Sequence, residues 1–472
     1  GFGATGNSRV AHRFWELAIS LDDISAEPGQ TVWMGVRIVS PSPMIDDYTP
    51  DAFEGGFEGL FAFALGRPTA RLLILADGAF VDELAELKEH KDYTGMPSYV
   101  QSWQDLDVAF HSQGRDAAER VKRAIAQYEQ YCGTLYVMLV GDTDRFPVRY
   151  TMNDRGTEAA FNRAFYATDL YYADLYKAGG SFDTWDANNN GYYGELQGET
   201  IAGTLNLDQA DLDPDVFVGR VPASTEAEVE TYVDKVIGYE FGAYSAAWHK
   251  RALVMATTDW VNDACQTKET IIGDSLGGYT VTRLYQAGNP CQSTSAPTSA
   301  NINNTLNNGV GLVNYVGHGH PSGLAIPGDW YQEVDMSGLS NEDMLPIMFA
   351  VACDTAQFAT QPPYAPYTDL NGVHHIGTAA GETFGDVPPQ PAPIQTTDNP
   401  ESLGEAVTVK HETGAVAFIG CATGSQPFAR DLDRFFFQGL SSSTFTTLGS
   451  MWAGAIRRYY QSYTPPTTVN PP

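Results

Sequence analysis

The chain has 472 residues, and 58 acidic against 27 basic side chains leave a formal charge of −31. A surface so short of Lys and Arg offers no counterion-releasing face to a polyanion, which excludes nucleic acid as a partner. With 43% apolar residues the chain can bury a substantial core, and no run approaches the ~18 apolar residues a bilayer-crossing helix needs, so neither a disordered nor a membrane-spanning protein is expected.

In chain order, residues 1–68 read as a small β-rich appendage, with the β-type run Thr31–Val39 followed by a Pro/Ser/Asp/Gly stretch. Gly1 in place of Met fits either a removed leader or a numbering that begins inside a longer chain. From Arg71 onward short apolar runs alternate with helical patterns. Leu72–Ala76, Thr134–Gly141, Asp215–Gly219, Ala252–Thr257, Val310–Val316, Pro346–Ala352 and Ala415–Gly420 read as buried strands. Helices are expected over 115–131, where Ala118, Val121, Ala124, Ile125 and Tyr128 share one face, and over about 225–239 after a Ser224/Thr225 cap. Apolar strands separated by helices imply an α/β fold with a mainly parallel sheet flanked by helices, whose ligands bind beyond the carboxyl ends of the strands. Two α/β subdomains are expected, 69–245 and 246–462, before a Pro/Thr-rich linker at 463–472.

The first subdomain carries a calcium-type loop. Asp186-Ala187-Asn188-Asn189-Asn190-Gly191 has alternating oxygen side chains and a turn glycine, the first half of a loop that wraps a hard cation. A structural Ca²⁺ held by Asp186, Asn188, Asn190 and the carbonyl of Tyr192 is therefore expected, with Glu195 among the acids replacing the missing twelfth-position Glu. The competing reading is an Asn/Gly turn without an ion.

The second subdomain carries the chemistry. The strand Gly311–Val316 runs into Gly317-His318-Gly319-His320, placing an imidazole between two glycines at a strand end. The next apolar strand delivers Cys353, 35 residues later, to what should be the same sheet edge. A thiolate so placed attacks an amide carbonyl, an imidazolium protonates the leaving amine, and backbone N–H groups receive the oxyanion. His320, followed by Pro321, is the rival imidazole, and Cys421 the rival thiol. With five cysteines at least one thiol is unpaired.

The segments Leu312–Gly319 and Phe349–Cys353 closely resemble the two catalytic segments of gingipain-type cysteine peptidases, in the caspase-like clan. Supporting stretches are Tyr136–Asp142 followed by Pro147, Asp215–Arg220 and Gly414–Gly420, so the resemblance runs from about Arg71 to Tyr460. It implies a caspase/gingipain-like fold with Cys353 as nucleophile and His318 as catalytic imidazole. It also implies an oxyanion hole from the N–H groups of Gly319 and Cys353, and Asp259 as the acid behind the histidine. Asp263 falls where Arg-specific members bind the substrate's basic side chain, which implies cleavage after Arg or Lys. The chain departs from the family by an insertion over Ala359–Pro400, which could line or cover the cleft, and by lacking the family's immunoglobulin-like C-terminal segment. The expected protein is a secreted or cell-surface cysteine endopeptidase acting on proteins or peptides, without an organic cofactor. A surface processing or transfer peptidase, and a non-catalytic protein on the same fold, are the alternatives.

Overall fold

In this computed structural model the described residues are 70–154, 164–197, 208–242, 247–258, 263–385, 387–396, 399, 401–442 and 444–463, preceded by a two-residue strand pair, Trp33–Met34 with Phe63–Ala64. The rest of the 1–68 appendage, the linker beyond Tyr463 and Asp259 lie outside them.

Two parallel sheets form the frame. In the first, β1 (Leu72–Ala76), β2 (Ser98–Ser102), β3 (Tyr136–Val140) and β4 (Phe217–Val221) run in the order β2-β1-β3-β4. All five residues of β1 are buried, as a central strand covered on both faces requires. Helix α1 (Ala117–Cys132) covers one face through Ala118, Val121, Ala124 and Ile125. Its ends are set by Asp116, whose side chain accepts the Glu119 N–H, and by Gly133, whose φ of 69° gives the left-handed residue that stops a helix. Helix α2 (Glu226–Gly242) follows β4.

The second sheet contains β5 (Arg251–Ala256), β6 (Thr280–Tyr285), β7 (Leu312–Val316), β11 (Ile347–Val351) and β12 (Ala417–Ile419) in the order β6-β5-β7-β11-β12. Between β7 and β11 the chain makes a small antiparallel sheet, β8 (Gly319–His320), β9 (Gly323–Ile326) and β10 (Asp329–Gln332). Leu324 and Tyr331 of this sheet pack with Leu253, Met255, Val313 and Tyr315 on one face of the large sheet. Helices α3 (Ala264–Ser275), α4 (Ala429–Gln438) and α5 (Leu448–Tyr463) cover the other face. A Cys265–Cys291 disulfide ties α3 to the loop after β6 and leaves Cys132, Cys353 and Cys421 as thiols.

The two sheets share a core. Leu72, Ile74, Val140 and Val221 of the first pack with Val229 and Val233 of α2 and with Leu345, Val409 and Val416 from the second. Here Lys235 of α2 buries its ammonium among the carbonyl oxygens of Val407, Thr408, Thr413 and Ala415, at 2.7–3.4 Å. It thereby helps satisfy the end of the π-helical turn Ala406–Lys410, where the last carbonyls of a helix need partners from outside it. From the C-terminal end, α5 reaches back to β3 and β4, with Thr447 Oγ1 3.2 Å from the Tyr136 hydroxyl.

Strands β2 and β6 were not among those expected from the sequence, nor was the β9–β10 hairpin. The first two are edge strands, with partly exposed and polar residues that break a continuous apolar run. β4 begins two residues later than expected, because the Asp215 carboxylate is engaged by the N–H groups of Leu175 and Tyr176. Among the described residues no helix is long and apolar enough to cross a membrane.

Candidate active site

Parallel pairing puts Val316 of β7 opposite Val351 of β11, so His318 and Cys353 each lie two residues beyond the paired ends of neighbouring strands. Adjacent strands lie about 4.8 Å apart, which brings the imidazole and the thiol to one edge of the sheet. The glycines there are demanded by close approach. A Cβ on Gly319 would sit 2.7 Å from the Cys353 carbonyl oxygen and 2.8 Å from Ala352 Cβ, and one on Gly317 would sit 2.2 Å from Thr257 Oγ1. The first contact shows directly that the His318 and Cys353 turns are packed against each other.

The Cys353 turn is held by the loop after β12. Ser425 donates its N–H to Cys353 Sγ at 3.3 Å, Asp354 donates to the Thr423 carbonyl, and Ala356 to that of Cys421. Asp354 adopts φ 58°, a left-handed conformation that costs a non-glycine residue roughly 1 kcal/mol and turns the chain sharply beyond the thiol. Its carboxylate takes the Gln361 side-chain amide at 2.9 Å, so the 359–400 insertion starts beside the cysteine. The insertion then leaves to dock on the first subdomain, where Gln390 Nε2 donates to the Tyr150 carbonyl and Val148 N–H to that of Pro393. Cys353 is left half-buried rather than sealed.

Both rivals lie near the Cys353 turn. Burial pushes the Cys421 thiol up, which outweighs its hydrogen bond with Ser425 and disfavours its thiolate. His320 sits on β8, its ring 4.2 Å from that of Trp330 and its Nδ1 accepting the Ser322 N–H. Beside His318 lies a cleft of about 400 Å³ lined by His318, Gly319, Ala325, Ile326, Gly328, Asp329 and Trp330.

Asp263 is the residue before α3, and it makes no side-chain cap there. Its carboxylate instead meets Arg430 of α4, at 3.2 Å, with the Asp263 side chain 57% exposed. The acid expected to receive a basic substrate side chain thus already has a guanidinium partner, which also contacts Thr267 Oγ1 and the Pro427 carbonyl.

The calcium-type loop does form a cluster. Asn188 and Asn190 donate their amides to Glu195 at 2.9 Å each, and the Tyr192 N–H reaches Asn190 Oδ1. The buried Asp186 accepts the N–H groups of Asn190 and Gly191 and forms an ion pair with Arg115. The donor oxygens are gathered, with a guanidinium supplying the counter-charge; among the described residues no three acidic, His or Cys side chains converge as a metal site.

One buried group was missed. Asn314, in the middle of β7, and Asp433 of α4 both receive the ammonium of Lys268 from α3, all three at most 1% exposed. Burial drives the Lys268 ammonium down and the Asp433 carboxyl up, and each partner opposes the shift. An Asn inside an otherwise apolar strand was the available signal.

The family model of peptidase family C25 matches residues 66–470. Gingipain R2 and gingipain R1 of Porphyromonas gingivalis are each 22% identical over 305 residues, or 63% of this chain, and the match covers 34% and 25% of their respective lengths. The chain thus spans about a third or less of these curated relatives. Among solved structures, a complex of the pro- and mature domains of P. gingivalis RgpB aligns with TM-score 0.55 at 16% identity, over 84% of this chain and 75% of that one. The Arg-specific cysteine proteinase gingipain R aligns with TM-score 0.53 at 18% identity, over 84% and 74%. At these identities the structural likeness establishes the fold.

Proposed function

The chain belongs to peptidase family C25, and on that premise we propose that it cleaves peptide bonds with Cys353 as nucleophile and His318 as proton donor. Sγ attacks the scissile carbonyl carbon, and the N–H groups of Gly319 and Cys353 receive the negative charge that builds on its oxygen. The tetrahedral intermediate collapses as His318 gives its proton to the amine nitrogen, so the C–N bond breaks and the acyl group stays on sulfur. Water then adds to the thioester, gives a proton to the imidazole and releases the acid, regenerating the thiol. Asp259, just after β5, would orient the ring.

The observation that carries this reading is the mutual contact of the two turns, with no room for a Cβ between Gly319 and the Cys353 carbonyl. Export is supported by the Cys265–Cys291 disulfide, a cross-link that reducing compartments do not maintain. Preference for Arg or Lys before the scissile bond rests on Asp263 and requires the substrate to exchange with Arg430. Ca²⁺ is proposed for the 183–199 loop on the strength of its oxygen donors, as a structural ion replacing Arg115 as the counter-charge of Asp186.

A thiol-directed peptidyl label should modify Cys353 and spare Cys421, and His318→Ala should suppress the modification along with turnover. Peptidase activity that survives Cys353→Ala would reject the assignment.

A further inference from the structure

The β9–β10 hairpin builds a second recognition surface beside the reacting bond. Ile326 pairs with Asp329 across the two-residue turn Pro327-Gly328, in which Gly328 has φ 76° and proline fixes the preceding angle. The turn is therefore stiff, and it presents Asp329 and Trp330 to the same cleft that His318 lines. Trp330 is 36% exposed. Asp329 is exposed, and its Oδ1 accepts its neighbour's N–H, at 2.9 Å. The ring packed on the indole is that of His320, whose Nδ1 accepts the Ser322 N–H.

On the proposed peptidase reading, His318 protonates the leaving amine, so the cleft it lines belongs to the departing side of the substrate. We propose that Asp329 and Trp330 form a subsite for a cationic side chain, Arg or Lys, of the first residue after the scissile bond. A carboxylate and an indole face are the two groups that attract a guanidinium or ammonium, and the chain's charge of −31 raises the local concentration of cationic peptides. This subsite is separate from Asp263, which precedes α3 and pairs with Arg430 of α4.

The test uses the full chain and two measurements. Internally quenched peptides identical except for Arg, Lys, Ala or Glu at the first position after the cleaved bond should show about a fivefold higher kcat/KM for Arg over Ala, and less than unity for Glu over Ala. Asp329→Asn and Trp330→Leu should each bring the Arg/Ala ratio toward one. Equal rates for all four peptides, or a ratio that survives both variants, would overturn the proposal. Calorimetric binding of arginylalanine amide against alanylalanine amide to the Cys353→Ser protein reads the subsite without catalysis. Tighter binding of the arginyl amide, lost in Asp329→Asn, supports it even if no peptide is cleaved, in which case the peptidase reading alone fails. Equal binding of the two amides overturns it.

Discussion

Arg430→Ala isolates the competition that the structure places on Asp263. The pair is separated by 3.2 Å with side chains 24% and 57% exposed, a geometry in which an ion pair is worth about 0.2–1 kcal/mol. A substrate guanidinium that must displace Arg430 forgoes that amount, so removing Arg430 should strengthen binding of an Arg-containing substrate by about 1.4- to 5-fold. Since this interaction is made equally in the ground and transition states, KM should fall while kcat holds. The assay is steady-state cleavage of paired peptides carrying Arg or Ala before the scissile bond, with melting temperature measured on the same samples, because Arg430 also bonds to Thr267 and so links α4 to α3. The Ala peptide should be indifferent to the change. If the KM for the Arg peptide is unchanged or rises in a protein of unaltered stability, Asp263 does not receive the substrate's side chain and the reasoning fails.

Gly319→Ala would drive a methyl within 2.7 Å of the Cys353 carbonyl and of Thr355 Cγ2, an overpacking cost of about 1–3 kcal/mol, so turnover should fall further than the drop in melting temperature accounts for; normal turnover would show that the two turns can part. In the insertion, burial pushes the carboxyls of Asp369 and Glu382 up, but His375 between them and nearby backbone N–H groups outweigh it and hold both below the ordinary 3.8 and 4.5. Their contribution is complete above the unfolded values and is lost as pH falls through the depressed folded ones, so the urea midpoint should drop more steeply below about pH 4.5 in wild type than in Glu382→Gln; parallel curves would remove the cluster from the account. Calcium should raise the melting temperature of chelator-treated protein, and more so in Arg115→Ala, which strips Asp186 of its counter-charge; indifference in both proteins would dismiss the ion.

What could be read before the structure depended on how many neighbours each residue answers to. The strands at 72–76, 136–140, 251–256, 312–316 and 347–351 are buried by layers on both faces, and that environment demands apolar runs. His318 and Cys353 were legible for the same reason, because each follows such a strand. Partnerships between distant positions were not. Arg430 and Asp263 are 167 residues apart, Lys268 and Asp433 are 165, and nothing in either local sequence names its partner. Cys265–Cys291 is one of several pairings that five cysteines allow. Nothing in its local sequence marks Trp330, which the unexpected β9–β10 hairpin brings to the cleft lined by His318.

Helix α5 and the Ala406–Lys410 turn clasp the first sheet. Tyr136 and Phe217 are covered by residues near the C-terminal end of the chain, and Lys235 is held by carbonyls more than 170 residues away. A backbone cut between Gly242 and Ala247 would therefore yield a two-chain protein, its pieces co-eluting in native buffer and parting in denaturant. Independent elution of the fragments under native conditions would mean that this clasp is too weak to join them. Conversely, during synthesis α5 must leave the ribosome before the first sheet is fully roofed.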